Sequence, residues 1–255
     1  MLASNQMHGG DAATAELITG QPGSDRPVHL AAGGSSSMHI VVAIGKGGGG
    51  KSTTLANLST VAASRGLSVA VIDADPQASL CHWRGTRGKS LIKVVPCGES
   101  DDLAAKVDDA RRAGIKWLLI DTSPALGEHT LTAIRLAHLV LVTTRPATLD
   151  LLVTRRRIDL LKTMKRDFTC VINAAPARRA GIEAPFVRQT RDSLRQVGGH
   201  PWVGQLTHRH SIMQALIDGK GVIEAEPEGL AAHEFVRLWA DIEKHVLRVL
   251  HGRQS

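Results

Sequence analysis

Six short apolar runs, separated by longer segments of mixed polarity, dominate the chain after residue 37. They are residues 40–44, 67–72, 93–95, 117–120, 139–144 and 169–172. Runs of this kind, bounded by polar and glycine-containing segments, predict buried strands, with residues 93–95 at an edge. Because helical periodicity recurs between them, we predict an α/β fold with a mostly parallel twisted sheet and helices on both faces.

Amphipathic segments between and after these runs predict the helices. The expected helices cover residues 55–62, 78–83, 101–113, 149–165, 185–197 and 229–250, and residues 201–203 are expected to add a strand. Ser100 is the expected N-cap of the helix over residues 101–113, because its hydroxyl can accept a backbone N–H.

A glycine-rich segment connects the first strand to the first helix, and residues 45–52 fit the pattern G-x-x-x-x-G-K-[ST] without a gap. In such a loop, glycines let backbone N–H groups surround phosphate oxygens, the lysine reaches the terminal phosphates, and the hydroxyl residue ligates Mg²⁺. The alternative is a flexible turn that carries a lysine, and the flanking strand and helix weigh against it. The predicted nucleotide-binding residues are Lys46, Gly47, Gly48, Gly49, Gly50, Lys51, Ser52 and Thr53.

Two later strands end in carboxylates. Asp73 and Asp75 follow the second apolar run, and Asp121 follows the fourth. The carboxyl ends of parallel strands meet at one edge of a sheet, so these side chains are expected beside the glycine loop. Phosphoryl transfer needs negative charge there for a metal ion and for the attacking water. For Asp75, which precedes Pro76, a simple Asx turn is the competing interpretation.

These segments carry a family resemblance. Residues 46–53 resemble the deviant Walker A motif, KGGxGK[ST], of the ParA/MinD group of ATPases. Residues 73–77 are similar to the DxDPQ switch I segment of that group, and residues 121–124 to its Walker B segment, DTSP. The stretch over residues 206–224 resembles the C-terminal part of small partition ATPases. The resemblance implies a P-loop NTPase domain that uses ATP and Mg²⁺.

The resemblance also implies roles for individual residues. Lys46 corresponds to the signature lysine, which reaches across a dimer interface to the nucleotide of the partner subunit; a solvated loop lysine is the alternative. Asp75 corresponds to the residue that positions the attacking water, so Lys46, Lys51 and Asp75 form the predicted catalytic set. The predicted metal-binding residues are Ser52, Asp73 and Asp121.

Two further assignments rest on the same resemblance. Residues 123–128 correspond to switch II, the loop that senses the γ-phosphate. Asn173 follows the strand over residues 169–172, where relatives carry an asparagine that hydrogen-bonds the adenine edge. An ordinary strand-ending asparagine remains the other interpretation of Asn173.

The formal net charge of +7 is concentrated in one part of the chain. Residues 155–195 contain eleven Lys and Arg and four Asp and Glu. The difference, +7, equals the formal net charge of the whole chain. Such a group can neutralise DNA phosphates without recognising bases, although charge runs are often only solvated helix faces. The candidate DNA contacts are Arg155, Arg156, Arg188, Arg191 and Arg209.

Composition excludes several relatives. The chain has no tyrosine, so it lacks the tyrosine cluster of the bacterial tyrosine kinases that share this loop. Its three cysteines, Cys81, Cys97 and Cys170, contain no C-x-x-C pair and predict inert thiols rather than cluster ligands. No apolar run approaches the ~20 residues that cross a bilayer.

The N-terminal segment over residues 1–37 has little apolar periodicity and contains repeated Gly and Ser, which predicts a disordered extension. Met38 directly precedes the first strand, so a misassigned start codon is an alternative explanation of the extension. The predicted ATPase domain therefore covers residues 38–255.

The leading hypothesis from the sequence is a slow ParA-type ATPase of plasmid or chromosome partition. The resemblance implies an ATP-dependent homodimer that binds non-specific double-stranded DNA and is stimulated by a ParB-like centromere-binding protein. It would be cytoplasmic and nucleoid-associated, without membrane contact. Two alternatives stay open. One is a MinD-like positioning ATPase with a membrane-binding helix at residues 238–248, and the other is a metabolic P-loop ligase of the dethiobiotin-synthetase type.

Overall fold

The computed structural model of the protein describes residues 38–88 and 90–252, and the predicted extension over residues 1–37 lies outside them. The strands are β1 (His39–Gly45), β2 (Val69–Ala74), β3 (Lys93–Pro96), β4 (Trp117–Thr122), β5 (Leu139–Thr144) and β6 (Phe168–Ile172). The helices are α1 (Lys51–Ser64), α2 (Ser79–Thr86), α3 (Leu103–Arg112), α4 (Glu128–Leu136), α5 (Thr148–Thr163), α6 (Pro185–Gln196), α7 (His210–Ile217), α8 (Val222–Ala225) and α9 (Leu230–Gly252).

The described strands form one six-stranded sheet in the order β3-β2-β4-β1-β5-β6. Every neighbouring pair is parallel. The predicted α/β class is therefore confirmed. The chain runs from β1 to β2 on one side and from β4 to β5 on the other side of β1, and ligands bind beyond the carboxyl ends of the strands at such a switch in direction. The segment after β1 is the glycine-rich loop.

Both faces of the sheet carry a hydrophobic core, because alternate residues of a strand point to opposite sides. On one face, Val41 of β1 packs in a cluster that includes Leu58 of α1 and Trp239 of α9. On the other face, Val42 belongs to a cluster that includes Ile158 of α5. With both faces covered, the ends of the strands are where polar groups remain accessible.

The apolar side of α9 is buried against the sheet. Leu238, Trp239, Ile242 and Val246 are each no more than 2% exposed, and the Trp239 ring lies 4.8 Å from the ring of Trp117 at the start of β4. Residues 238–248 therefore place their apolar side in the protein core rather than on an outer surface. Among the described helices, none combines the length and hydropathy needed to cross a membrane.

The cap of α3 differs from the sequence expectation. Asp102, and not Ser100, is its N-cap, and the Asp102 carboxylate accepts hydrogen bonds from the backbone N–H groups of Ala104 at 2.8 Å and Ala105 at 3.2 Å. The helix begins at Leu103, later than predicted, because the side chain that can satisfy its first free N–H groups is that of Asp102.

Residues 201–203 do not form the predicted strand. Their pairing with β6 is a single parallel bridge between Cys170 and Pro201. The carbonyl oxygens of Trp202 and Gly204 instead accept hydrogen bonds from the Arg191 guanidinium of α6. A buried arginine thus takes the acceptors that a strand ladder would use, and a sequence pattern of apolar residues gives no sign of that partner.

Candidate functional site

The loop between β1 and α1 has the backbone that a phosphate cradle requires. Gly48 has φ 74° and Gly50 has φ 89°, in the left-handed region that glycine tolerates best. A Cβ on Gly50 would lie 1.8 Å from Nδ2 of Asn173, and a Cβ on Gly45 would lie 2.5 Å from Oγ1 of Thr143. The close approach of β5 and β6 explains why glycines stand at both ends of the loop.

Lys51 and Asp75 bring buried opposite charges to this loop. Lys51, at the first position of α1, is 5% exposed, and Asp75, beyond β2, is 8% exposed. Nζ of Lys51 lies 3.8 Å from Oδ2 of Asp75, which is longer than a hydrogen bond. The ammonium therefore has Coulombic compensation in the folded chain and keeps hydrogen-bonding capacity for an anion.

Ser52 and Asp121 form a second polar pair at the same edge of the sheet. The Ser52 hydroxyl donates to Oδ2 of Asp121 at 2.5 Å, and Asp121 is fully buried at the end of β4. Burial raises the pKa of Asp121 to about 7, against the lowering effects of the Ser52 hydrogen bond and the Lys51 charge. A hydroxyl beside a buried carboxylate suits a hard divalent cation, whose charge would compensate the carboxylate.

Asp73, a predicted metal-binding residue, accepts hydrogen bonds from three backbone N–H groups, and its contact with a metal stays a prediction. Its Oδ2 accepts the backbone N–H groups of Leu80 and Cys81, each at 2.9 Å, and its Oδ1 accepts that of Asp75 at 3.3 Å. These bonds hold the start of α2 and the backbone of switch I. Asp73 also lies beside Asp121 in the β2–β4 register. Its hydrogen bonds stabilise the conformation of the segment that carries Asp75.

One pocket of about 490 Å³ brings most of the predicted nucleotide residues together. Its volume lies in the range of small-molecule sites. The predicted residues on its wall are Gly47, Gly48, Gly50, Lys51, Ser52, Thr53, Asp75 and Asn173. Pro124 of switch II and Arg145, which follows β5, also line it. The left-handed glycines, the buried ammonium and the Ser52–Asp121 pair fit a magnesium nucleoside triphosphate.

The family model of the CobQ/CobB/MinD/ParA nucleotide-binding domain matches residues 40–247, which include all of these side chains. The chain belongs to this family. The predicted resemblance to the ParA/MinD group is thereby confirmed, and ATP and Mg²⁺ are the cofactors of the group.

Curated relatives include positioning proteins. The maintenance of carboxysome distribution protein A of Gloeobacter kilaueensis is 37% identical over 125 residues, 48% of this chain and 56% of that protein, so the chain spans about half of its length. The protein of the same name from Halothiobacillus neapolitanus is 24% identical over 196 residues, 76% of this chain and 90% of that protein.

Solved structures confirm the fold. The septum site-determining protein MinD of Pyrococcus horikoshii, complexed with Mg-ADP, superposes with a TM-score of 0.66 at 18% identity. The match covers 82% of this chain and 97% of that protein. At this identity the similarity is one of architecture.

The signature lysine of this ParA/MinD-family chain is held within its own subunit. Nζ of Lys46 lies 2.8 Å from Oδ1 of Asp150, near the start of α5. The Lys46 side chain is 43% exposed and that of Asp150 is 10% exposed. Asp150 was not a predicted site residue, although its spacing from Thr154, Arg157 and Ile158 places it on the buried face of a helix.

Asn173 lies on the other side of the loop. Its Nδ2 donates to the carbonyl oxygen of Gly49 at 3.0 Å, and the residue lines the pocket. It therefore stands between the loop and the segment beyond β6. A contact of Asn173 with adenine stays a prediction.

The five candidate DNA contacts of the ParA/MinD-family domain fall into two groups. Arg155, Arg156 and Arg188 are exposed and make no ion pair among the described residues. Arg191 is only 6% exposed and is bonded to Glu183 at 2.5 Å, while Arg209 pairs with Glu234 at 3.1 Å. The guanidinium of Arg191 connects α6 to Glu183 and to the carbonyl groups of Trp202 and Gly204. It cannot reach a phosphate without breaking these bonds.

Proposed function

We propose that this ParA/MinD-family protein is a nucleotide-dependent switch of DNA partition or of intracellular positioning. It binds Mg-ATP, forms a homodimer across the two glycine loops, and binds non-specific double-stranded DNA in that state. Hydrolysis, stimulated by a ParB-like partner, returns it to the free form. In a cell it would be cytoplasmic and associated with the nucleoid.

The observation that carries the proposal is that Lys51, Ser52 and Asp75 line one pocket, while the buried Asp121 accepts the Ser52 hydroxyl behind it. Phosphoryl transfer needs a cation at the terminal phosphates, a metal ligand and a group that orients water. These residues supply all three from α1, switch I and β4. Lys51 would bind the phosphates, Ser52 and Asp121 the metal, and Asp75 the water.

A homodimer is supported by exposed apolar side chains on switch II and α5. Leu126 of switch II and Leu149 and Leu152 of α5 are 40%, 68% and 61% exposed. Leu149 is next to Asp150, the partner of Lys46. Large apolar side chains left exposed favour an interaction surface, here one that a second copy would cover. Lys46 would exchange Asp150 for the nucleotide of the partner subunit.

The exposed arginines Arg155, Arg156 and Arg188 support a DNA surface on α5 and α6. Unpaired cations of this kind can bind phosphates through counterion release and need no base contacts. The membrane alternative is less well supported, because the apolar side of α9 over residues 238–248 is buried.

The proposal is tested first with Asp75→Ala. Removal of the water-orienting carboxylate is expected to abolish measurable ATP hydrolysis, while mant-ATP still binds and ATP-dependent dimers accumulate in size-exclusion chromatography with light scattering. Normal turnover in this variant would exclude the assigned role of Asp75.

DNA binding is tested by fluorescence anisotropy with a random-sequence duplex at low salt, with ATP and with ADP. Arg155→Ala/Arg156→Ala should weaken binding in ATP and reduce its salt dependence. Arg111→Ala/Arg112→Ala is the matched control, because it removes two adjacent arginines of α3 that pair with Asp108 and Asp109. Absence of ATP-dependent DNA binding in the wild type would favour the metabolic alternative, and ATP-dependent sedimentation with liposomes would favour the membrane one.

A further inference from the structure

Arg157 is a buried cation near the nucleotide loop that the proposed chemistry does not use. It lies on α5, seven residues after Asp150, and is only 6% exposed. No ion pair to it occurs among the described residues, and burial lowers the pKa of its guanidinium. A charged side chain without a carboxylate partner is costly to bury, so its hydrogen bonds must compensate.

Those hydrogen bonds connect two functional segments. A single nitrogen, Nη2, donates to the carbonyl oxygen of Gly45 at 3.1 Å and to that of Pro124 at 2.7 Å. Gly45 ends β1 and begins the glycine loop. Pro124 lies in switch II, three residues after Asp121. Nη1 donates to Val153 on α5 itself, at 3.3 Å.

The geometry explains why the residue is an arginine. A guanidinium is planar, and its terminal nitrogen offers two N–H groups in fixed directions, so it can hold two carbonyls of different segments at a fixed separation. A lysine side chain ends in a compact ammonium group that rotates freely, so it would fix the separation of the two carbonyl oxygens less rigidly. An apolar side chain at position 157 would leave the carbonyl groups of Gly45 and Pro124 without this donor.

We propose that Arg157 is a positioning residue that holds switch II against the start of the glycine loop, and thereby keeps Asp121 and switch II in register with the bound nucleotide. The proposal rests on the function proposed above for its effect on hydrolysis, but its structural part does not depend on that function. Arg157 does not reach the reacting atoms and acts through Pro124.

The position of Arg157 on α5 gives this contact a second consequence. Asp150 and Arg157 lie on the inner face of the helix, two turns apart, and touch Lys46 and switch II respectively. Arg155 and Arg156 lie on the exposed side of the same helix. The contacts to Lys46 and switch II and the exposed arginines therefore lie on opposite sides of one helix.

The test compares Arg157→Met and Arg157→Lys with Arg135→Met, an exposed arginine of α4 without an ion pair in the described chain. Hydrogen exchange is followed by mass spectrometry in peptides that cover residues 122–131, with and without ATP, and in peptides over residues 69–74 as reference. Melting temperatures and the stoichiometry of mant-ADP binding establish the folded fraction of each variant.

Arg157→Met is expected to speed exchange at least fivefold in residues 122–131 and to leave residues 69–74 unchanged, with Arg157→Lys intermediate and Arg135→Met like the wild type. Misplacement of catalytic groups lowers kcat more than it changes KM. For Arg157→Met we expect kcat, calculated per nucleotide-binding molecule, to fall roughly tenfold and KM for ATP to change less than about threefold.

Unchanged exchange in residues 122–131 would overturn the proposal, and so would a loss of activity that only follows the folded fraction. If Arg157→Met does not fold, Arg157→Lys and Arg157→Gln are judged by the same exchange criterion. A wild type without ATPase activity would refute the proposed function, whereas the exchange experiment would still decide the role of Arg157.

Discussion

Two glycine-containing turns of this protein bring backbone and charged side chains into close contact. They differ in how far the charged side chains are compensated by partners. In the nucleotide loop, a Cβ on Gly50 would lie 1.8 Å from Asn173, and in the turn before α8, a Cβ on Gly221 would lie 2.0 Å from Oγ1 of Thr60. At both turns a Cβ would therefore collide with a neighbouring side chain, and Gly50 has a positive φ in addition.

The two charged groups that meet at the turn before α8, Arg87 and Glu224, are paired with each other. Arg87 donates to both carboxylate oxygens of Glu224, at 2.9 and 2.6 Å, and to the carbonyl of Gly219 at 2.9 Å. Its guanidinium also lies 4.9 Å from the centroid of the Trp83 ring. We call these four residues the Arg87 cluster. It attaches α2 to the segment over residues 219–224.

The charges of the nucleotide loop are compensated only in part. The 3.8 Å separation of Lys51 and Asp75 and the raised pKa of Asp121 both describe groups that would gain from a ligand. Closely packed glycines therefore occur in two settings. In the turn before α8 they accompany a paired structural contact, and in the nucleotide loop they accompany charged groups that a ligand can still bind. Substitutions should therefore separate stability from nucleotide binding.

Lys51→Ala should have the largest effect. Loss of the buried ammonium is expected to weaken mant-ADP and mant-ATP binding by more than 100-fold, because no other described lysine lines the pocket. The rise in melting temperature that saturating nucleotide produces in the wild type should disappear. Lys93→Ala on β3 is the control, and equal nucleotide affinity in both variants would remove Lys51 from the site.

Gly221→Ala should have the converse effect. The new methyl group collides with Thr60, and overpacking of this kind lowers the free energy of unfolding by roughly 1–3 kcal/mol. Nucleotide affinity of the folded protein should stay within about twofold of the wild type, measured on protein that remains folded at 15 °C. Gly85→Ala in α2 is the matched control, since an added Cβ would meet no described atom within 4 Å apart from its chain neighbours and the backbone of its own helix.

Glu224→Gln should reveal the Arg87 cluster through pH. Burial alone raises the pKa of Glu224, but hydrogen bonds from Arg87 and the Gly221 N–H, with the Arg87 and Lys220 charges, outweigh it and leave the pKa below its ordinary 4.5. A lowered carboxyl pKa contributes stability above the unfolded pKa and loses it as pH falls through the folded pKa.

The difference in urea stability between the wild type and Glu224→Gln should thus be largest near pH 7 and shrink below pH 4.5. Glu228→Gln, at an exposed residue four positions after Glu224, should show no such trend. A difference that is constant with pH would mean that the Arg87–Glu224 pair contributes nothing through its charge.

Asp150→Asn should have the smallest effect. The Lys46–Asp150 pair is partly exposed, and such pairs contribute up to about 1 kcal/mol. Freeing Lys46 should therefore favour the ATP-dependent dimer by at most about fivefold, measured by analytical ultracentrifugation with Asp75→Ala as background. A weaker dimer would show that Asp150 supports the interface instead of restraining Lys46.

Local patterns predicted the part of the site that depends on neighbouring residues in sequence. The glycine loop follows a buried strand directly, and the carboxylates that end β2 and β4 reach the same edge because parallel strands align their carboxyl ends. Lys51, Ser52, Asp75 and Asp121 could therefore be named in advance. The helix at the end of the chain, α9, follows from its periodicity in the same way.

Other features depend on residues that are distant in sequence. Arg191 and Arg157 were both counted among the basic residues of one region, yet Arg191 pairs with Glu183 and holds the carbonyl of Trp202, and Arg157 holds Pro124. A charge count treats every arginine alike. Only packing decides which guanidinium groups are buried and which remain free for a polyanion.

The sequence by itself determined the class of the fold, the family and the order of the motifs, because these follow from short-range periodicity and from residue types at fixed spacings. The tertiary structure alone decided that Asp150 holds Lys46, that Asp73 supports α2, and that Arg157 joins switch II to the glycine loop. Each of these contacts closes between segments that only the packed sheet and its helices bring within hydrogen-bonding distance.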